Sequence, residues 1–257
     1  MDINSDDVQD DTTPFFEESG SEDGPQEDVG SAARSSDFRP EYRKKAIRSY
    51  VLRAGRMTEG QRNAFSRGWS FYGLKLDDGP IDAEIIFGRK APLIIEIGFG
   101  MGDSLLQMAS AAPDQDFIGI EVHPPGVGRL IASAEEQKIT NLRVYLADAT
   151  DVLNECIPAQ SLQRLQLYFP DPWHKKRHHK RRLINAVFLD AVAEKLQPGG
   201  MLHIATDWQP YAEEIYDHLE SHPAFSHCPA PARAETKYER RGQRLGHVVT
   251  DLAAQVP

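Results

Sequence analysis

Five short apolar runs recur between residues 92 and 207: PLIIEIG (92–98), DFIGIEV (116–122), LRVYLAD (142–148), LQRLQLYFP (162–170) and GMLHIATD (200–207). Helix-like segments lie between them. DSLLQMASAA follows the first run, VGRLIASAEEQ follows the second, and RRLINAVFLDAVAEKLQPGG, stopped at Pro-Gly-Gly, precedes the last. Strands alternating with helices imply right-handed crossovers and a mostly parallel sheet with helices on both faces, a doubly wound α/β fold.

Ligands of such sheets bind outside the carboxyl ends of the strands. In this chain those ends read Glu96, Glu121, Asp148, Asp171 and Asp207. Helix capping accounts for some of these acids, but glutamate is a poor cap and five in succession are many. The segment EIGFGMGDS (96–104) sets Gly98, Gly100 and Gly102 between the first strand and its helix. A dinucleotide fingerprint requires a third glycine where Asp103 stands. Two carboxylates, Glu96 and Asp103, would repel a pyrophosphate and favour a ligand carrying an ammonium and a sulfonium, as S-adenosylmethionine does. Glu121, 25 residues after Glu96, falls near the spacing at which an acid accepts ribose hydroxyls. Asp148 ends the third strand, in reach of an adenine amino group.

Taken alone, the net charge of -10 disfavours a polyanionic partner, but its distribution matters more. Residues 1–38 hold twelve Asp or Glu against Arg34 alone, which leaves 28 Lys or Arg and 27 Asp or Glu for the remainder. That segment is too poor in aliphatics to offset its ordering entropy and reads as an acidic disordered tail. Residues 39–68 read as a basic arm, with Lys44, Lys45, Arg48, Arg53 and Arg56 in its first part and a polar, turn-like stretch over 57–68. Residues 69–257 form the main domain. Cys156 and Cys228 stand far apart, which suits a reducing cytoplasm and neither a zinc site nor a disulfide framework. No apolar run reaches the length of a membrane span, and no signal peptide is evident.

The stretch LQLYFPDPWHKKRHHKRRLIN (165–185) carries a core strand straight into a basic field. Pro170 and Pro172 flank Asp171 and restrict the backbone on both sides of it. Trp173 can stack on a base or pack against the sheet. Lys175, Lys176, Arg177, Lys180, Arg181 and Arg182 follow, placed to collect a phosphate backbone at the rim of the site. His174 and His178 share helical spacing, but with no third ligand evident no metal is expected.

Together EIGFGMG, GIEVHPPGVG, YFPDPWHKKRHHKRR, ATDWQPYAEE and TKYERRGQRLGH resemble the bacterial tRNA (guanine-N7)-methyltransferases over roughly residues 45–252. FPDPWHK and TKYERRG are the segments most specific to that family. The resemblance implies a Rossmann-like class I methyltransferase domain over 69–257. It also implies S-adenosylmethionine as methyl donor and tRNA as partner, with 7-methylguanosine formed in the variable loop. By resemblance Glu96, Glu121, Asp148 and Asp171 are donor-site acids beside the glycine loop, with Asp171 also catalytic. Lys175, Asp207, Thr236, Lys237, Tyr238 and Glu239 are substrate-binding. The family usually has Phe where Tyr238 stands, and it does not account for the acidic tail. The implied protein is cytoplasmic, off the membrane, a monomer or homodimer without an obligate partner. Three alternatives remain open on the residues alone: a methyltransferase for another RNA, a protein or a small molecule; a nicotinamide-dependent dehydrogenase; and a non-catalytic RNA-binding module.

Overall fold

A computed structural model describes residues 47–51, 55–234, 236, 239–240, 246 and 248–257. The expected acidic tail, Lys44, Lys45 and Arg53 of the basic arm, and Lys237 and Tyr238 lie outside the described residues. In chain order the elements begin with α1 (Glu59–Tyr72), β1 (Gly73–Leu74), α2 (Ala83–Phe87), β2 (Leu93–Ile97) and α3 (Asp103–Ala111). Next come β3 (Asp116–Glu121), α4 (Pro124–Glu136), β4 (Leu142–Leu146), α5 (Ala149–Glu155) and β5 (Leu162–Tyr168). A 3-10 turn (Lys176–Arg181) precedes α6 (Ala186–Lys195), β6 (Leu196–Thr206), α7 (Gln209–Ser221), β7 (Ser226–His227) and β8 (Thr250–Gln255).

Among the described residues the strands make one eight-stranded sheet of order β1-β4-β3-β2-β5-β6-β8-β7. Pairings from β1 through β6 are parallel, and β8 enters antiparallel to both β6 and β7. The expected doubly wound, mostly parallel α/β fold is therefore present. Strand direction alternates side chains between the faces. Ile94 packs with Phe117, Leu142 and Val144 beneath residues of α1, α3 and α4. Its neighbours Ile95 and Ile97 pack with Leu165 and Leu167 beneath α5, α6 and α7. Both faces are covered, which explains why β2 is apolar nearly throughout rather than alternating.

The turn-like reading of residues 57–68 is corrected by α1. Its first turn is a capping box: Thr58 N–H donates to Gln61 Oε1 (2.8 Å), and Gln61 N–H donates to Thr58 Oγ1 (3.2 Å). The polar residues occupy the solvent side. Ala64, Phe65, Gly68 and Tyr72, at helical spacing, form the buried stripe. A Cβ on Gly68 would come 2.4 Å from Ile131 Cγ2, so α1 sits close against α4. The strand-end pattern also shifts in detail. Glu96 lies inside β2, Glu121 ends β3, Asp207 directly follows β6, and Asp148 and Asp171 come two and three residues after their strands.

Candidate active site

The strand order reverses between β2 and β5, and the crevice outside the carboxyl ends opens at that point. A cleft of about 380 Å³ lies there, walled by Gly98 and Gly100 after β2, Glu121 at the end of β3, and Phe169, Pro170 and Asp171 after β5. Gly98 adopts φ 74° and Gly100 φ 60°. A Cβ on Gly98 would meet nothing within 4 Å. Gly98 is thus required for its backbone conformation, and its open side leaves room for a ligand. Gly102 serves otherwise: at φ 80° it caps α3, and a Cβ there would press on Leu130 of α4 at 2.8 Å.

Glu121 holds the glycine turn. One carboxylate oxygen accepts from Gly100 N–H (2.8 Å), and the other accepts from Val122 N–H (2.7 Å) and His123 N–H (3.1 Å). Burial pushes its carboxyl upward, opposed by those three donors, while the nearby Asp171 carboxylate pushes it further up. Asp171 is exposed on the opposite wall. The backbone around it is constrained more tightly than its prolines alone imply, because Phe169 (φ 54°) and Trp173 (φ 47°) both sit in the left-handed region that side chains disfavour.

Glu96 and Asp148 stand behind the cleft wall. Glu96 is buried, does not line the cleft, and accepts from Gln166 Nε2 at 2.8 Å. Burial pushes its carboxyl up to about 7, against the pull of the Gln166 hydrogen bond. Asp148 caps α5: its Oδ1 accepts from Thr150 N–H (2.9 Å) and Thr150 Oγ1 (2.6 Å). It borders a neighbouring cavity of about 290 Å³, while Ala147 and Ala149 on either side of it line the main cleft.

The basic run divides into two sets. Lys175, Lys176, Arg177 and Lys180 are exposed. Arg182 is buried; it donates to Pro172 O (2.8 Å), pairs with Glu214 and lies over the Tyr211 ring. Arg181 stacks 3.8 Å over Trp173 and donates to Arg48 O (2.9 Å) and Tyr50 O (3.0 Å). Trp173 donates from Nε1 to Ser49 O (3.1 Å). These bonds clamp residues 48–50 across the site, where Ser49, Tyr50 and Val51 join the cleft wall. Trp173 is thus a packing residue. His174 and His178 face different tryptophans, Trp208 at 4.3 Å and Trp173 at 5.9 Å.

Of the expected substrate-binding residues, Asp207 is half-buried just beyond β6, and the His174–Trp208 contact ties its loop to the Asp171–Lys175 loop. Thr236 and Glu239 bond reciprocally: Glu239 N–H donates to Thr236 Oγ1 (3.1 Å), and Thr236 N–H donates to Glu239 Oε2 (3.4 Å). Glu239 also accepts from Arg233 Nη1 at 2.5 Å. Sequence reasoning missed Arg233, His203, Asp251 and Gly126. A Cβ on Gly126 would fall 1.9 Å from Gly100 O, so the start of α4 touches the glycine turn. The signal for Gly126 was its place in GIEVHPPGVG; for His203 it was a lone polar residue inside an apolar run.

A doubly wound sheet with this strand order, an antiparallel strand near its far edge and a glycine turn facing an acid on the next strand is that of a class I, Rossmann-like methyltransferase. A family model described as "Putative methyltransferase" matches residues 90–252. Proteins named tRNA (guanine-N(7)-)-methyltransferase are similar along nearly their whole length. That of Saccharophagus degradans is 56% identical over 223 residues, covering 84% of this chain and 97% of that one. That of Alcanivorax borkumensis is 54% identical over 214 residues, covering 80% and 90%. A solved structure of the 16S rRNA methyltransferase KamB superposes with a TM-score of 0.49 at 14% identity, over 82% of this chain and 98% of that chain. The chain belongs to the tRNA (guanine-N(7)-)-methyltransferase family.

Proposed function

We propose that the cleft between β2 and β5 carries methyl transfer from S-adenosylmethionine to N7 of a guanosine in tRNA, with Asp171 at the reacting centre. One observation carries this reading: Glu121 and Asp171 face a single cleft beside the glycine turn, and the exposed basic side chains begin four residues after Asp171.

The residues fit the donor. The open side of Gly98 suits close approach of a ligand to the backbone. Glu121 uses three of its roughly four acceptor positions on backbone N–H groups, so one ribose hydroxyl can be added without rearrangement. Asp148, with Oδ1 committed to capping, suits the adenine end by position. Glu96, below the turn, supplies negative charge under a cationic ligand. When bound, the donor supplies an electrophilic methyl on a sulfonium.

Guanine N7 has an in-plane lone pair and carries no proton at neutral pH, so no strong general base is needed. The protein's work is to aim N7 at the methyl at roughly 3–3.5 Å and to exclude water. Asp171 accepts from the N1–H and the 2-amino group of the base, which orients the ring. Its carboxylate also offsets positive charge developing on the base as the new bond forms. By resemblance Thr236, Lys237, Tyr238 and Glu239 bind the guanosine together with Asp207, the aromatic ring of Tyr238 being suited to stacking on a base. Lys175 takes a phosphate or the base edge. The base must leave its stack to be reached, and the resemblance points to the variable loop.

Incubation of the protein with unmodified tRNA and labelled donor, followed by mapping of 7-methylguanosine, tests the reading. Asp171→Asn is expected to lower kcat about 100-fold or more and to leave donor affinity within about threefold. Near wild-type turnover in that variant rejects Asp171 as the catalytic group.

A further inference from the structure

A row of buried polar side chains runs across the sheet under the site. Glu96 in β2, Gln166 in β5 and His203 in β6 are side by side in register, and all three are buried among aliphatic neighbours. Gln166 donates to Glu96 (2.8 Å). The Tyr168 hydroxyl, at the last residue of β5, meets Gln166 Oε1 (3.1 Å) and His203 Nδ1 (3.1 Å). His203 Nε2 meets Asp251 Oδ1 of β8 at 2.8 Å. Arg233 then bridges two carboxylates, donating to both oxygens of Asp251 (2.7 and 3.2 Å) and to Glu239 (2.5 Å). Its guanidinium lies 5.2 Å from the Tyr168 ring centre and 5.5 Å from that of Phe169.

The path joins three working parts. It starts below the glycine turn, passes the strand end that presents Asp171, and finishes at Thr236–Glu239. The chain is buried from Glu96 to His203 and reaches the surface at Asp251; a buried polar chain costs stability unless every member is satisfied, and a satisfied one fixes geometry. We propose that Arg233, Asp251 and His203 are positioning residues, which hold Glu239 and its partner Thr236, and through them the target guanosine, against the strand end bearing Asp171. The charge state fits: burial alone would raise the Asp251 carboxyl, yet hydrogen bonds from His203 and Arg233 outweigh it and hold the group down to about 2. Asp251 is therefore a fixed anion, and Arg233 transmits its position to Glu239 through a rigid fork that lysine cannot reproduce. The inference rests on reading Thr236–Glu239 as an acceptor-binding segment.

A double-mutant cycle on the full-length protein tests it. Arg233→Met and Asp251→Asn are each expected to lower kcat/KM for tRNA about 10- to 100-fold, with the donor dissociation constant within about twofold of wild type. On a Glu239→Gln background, Arg233→Met should add less than about a threefold loss, because the two act as one unit. Arg233→Lys, which keeps the charge without the fork, should fall between wild type and Arg233→Met, and it serves the same cycle if the methionine variant does not fold. Losses that multiply, or an equal loss of donor affinity, overturn the positioning role. A damaging Glu239→Gln beside a neutral Arg233→Met overturns that role alone. Wild-type methylation by Glu239→Gln itself overturns the acceptor-segment reading together with it.

Discussion

Burial sets the ionisation of Glu96 apart from that of an exposed carboxyl. Burial lifts it from the ordinary 4.5 to about 7, and neighbouring Glu121 adds to the lift, while Gln166, Arg164 and Arg233 oppose it. Between those two values the folded protein keeps a proton that the unfolded chain has lost. The stability contributed by this group is therefore complete below about pH 4.5 and is lost as pH rises through about 7, on the order of 3 kcal/mol in all. A cationic donor favours the ionised form, so binding below pH 7 should release a proton, and affinity should climb with pH up to about 7. Calorimetry in two buffers of different ionisation enthalpy reads the release directly. Glu96→Gln should abolish it, and an unchanged proton count in that variant sinks the link between Glu96 and the donor. At this scale the sequence revealed the acids but not their surroundings. Asp171 and Glu121 face the cleft as strand-end acids should. Asp148 is tied up as a helix cap, and Glu96 is covered by Gln166. No periodicity foretells that Glu96, Gln166 and His203 align, because register between strands far apart in sequence is set only by tertiary pairing.

An element 26 residues further on presses against the glycine turn. Gly126, in the first turn of α4, leaves no space for a Cβ, which would lie 1.9 Å from Gly100 O. Gly126→Ala must therefore push α4 away from the turn that Glu121 holds. Overpacking of this kind costs about 1–3 kcal/mol, and donor affinity should fall at least about tenfold as the Gly100 bond to Glu121 is displaced. Gly128→Ala is the control, since its Cβ would meet Gln61 O of α1 at 2.8 Å. That variant should lose comparable stability in denaturant unfolding and keep its donor affinity. Equal effects of both on the donor would mean that the α4 contact is not special to the turn. Five of the six parallel strands, β2 to β6, were legible because each is a short apolar run bounded by turn residues, whereas β1 is only two residues long. α1 was not, since its polar solvent side hid an interrupted stripe whose capping box, Thr58 to Gln61, was the overlooked signal. β8, TDLAAQ, is short and mixed in polarity, and only its pairing with β6 and β7 makes it a strand.

At the scale of the whole molecule the basic run sorts its charges by depth, and that sorting decides how the protein should meet RNA. Composition assigns all six Lys and Arg of the run to one surface, whereas Arg181 and Arg182 are committed to the 48–50 segment and to Glu214. Three of the remaining four, together with Arg181, still make a shared positive field. His178 is held below its ordinary value by slight desolvation and then by Arg177, Arg181, Lys175 and Lys180 around it. Each exposed cation that neutralises a phosphate contributes about 0.7–0.9 to the slope of log affinity against log salt. Lys176→Gln with Arg177→Gln should then flatten that slope by about 1.4–1.8, with unfolding stability unchanged within about 0.5 kcal/mol. Arg182→Met should do the opposite. It strips a partner from the half-buried Glu214 and the donor from Pro172 O, which costs about 1–3 kcal/mol, and it leaves the slope alone in whatever fraction stays folded. Filter binding of tRNA from 50 to 300 mM salt, beside urea unfolding of each variant, separates the two. A slope that Arg182→Met alone reduces, or that the exposed pair leaves unaltered, would place the RNA on some other face of the protein.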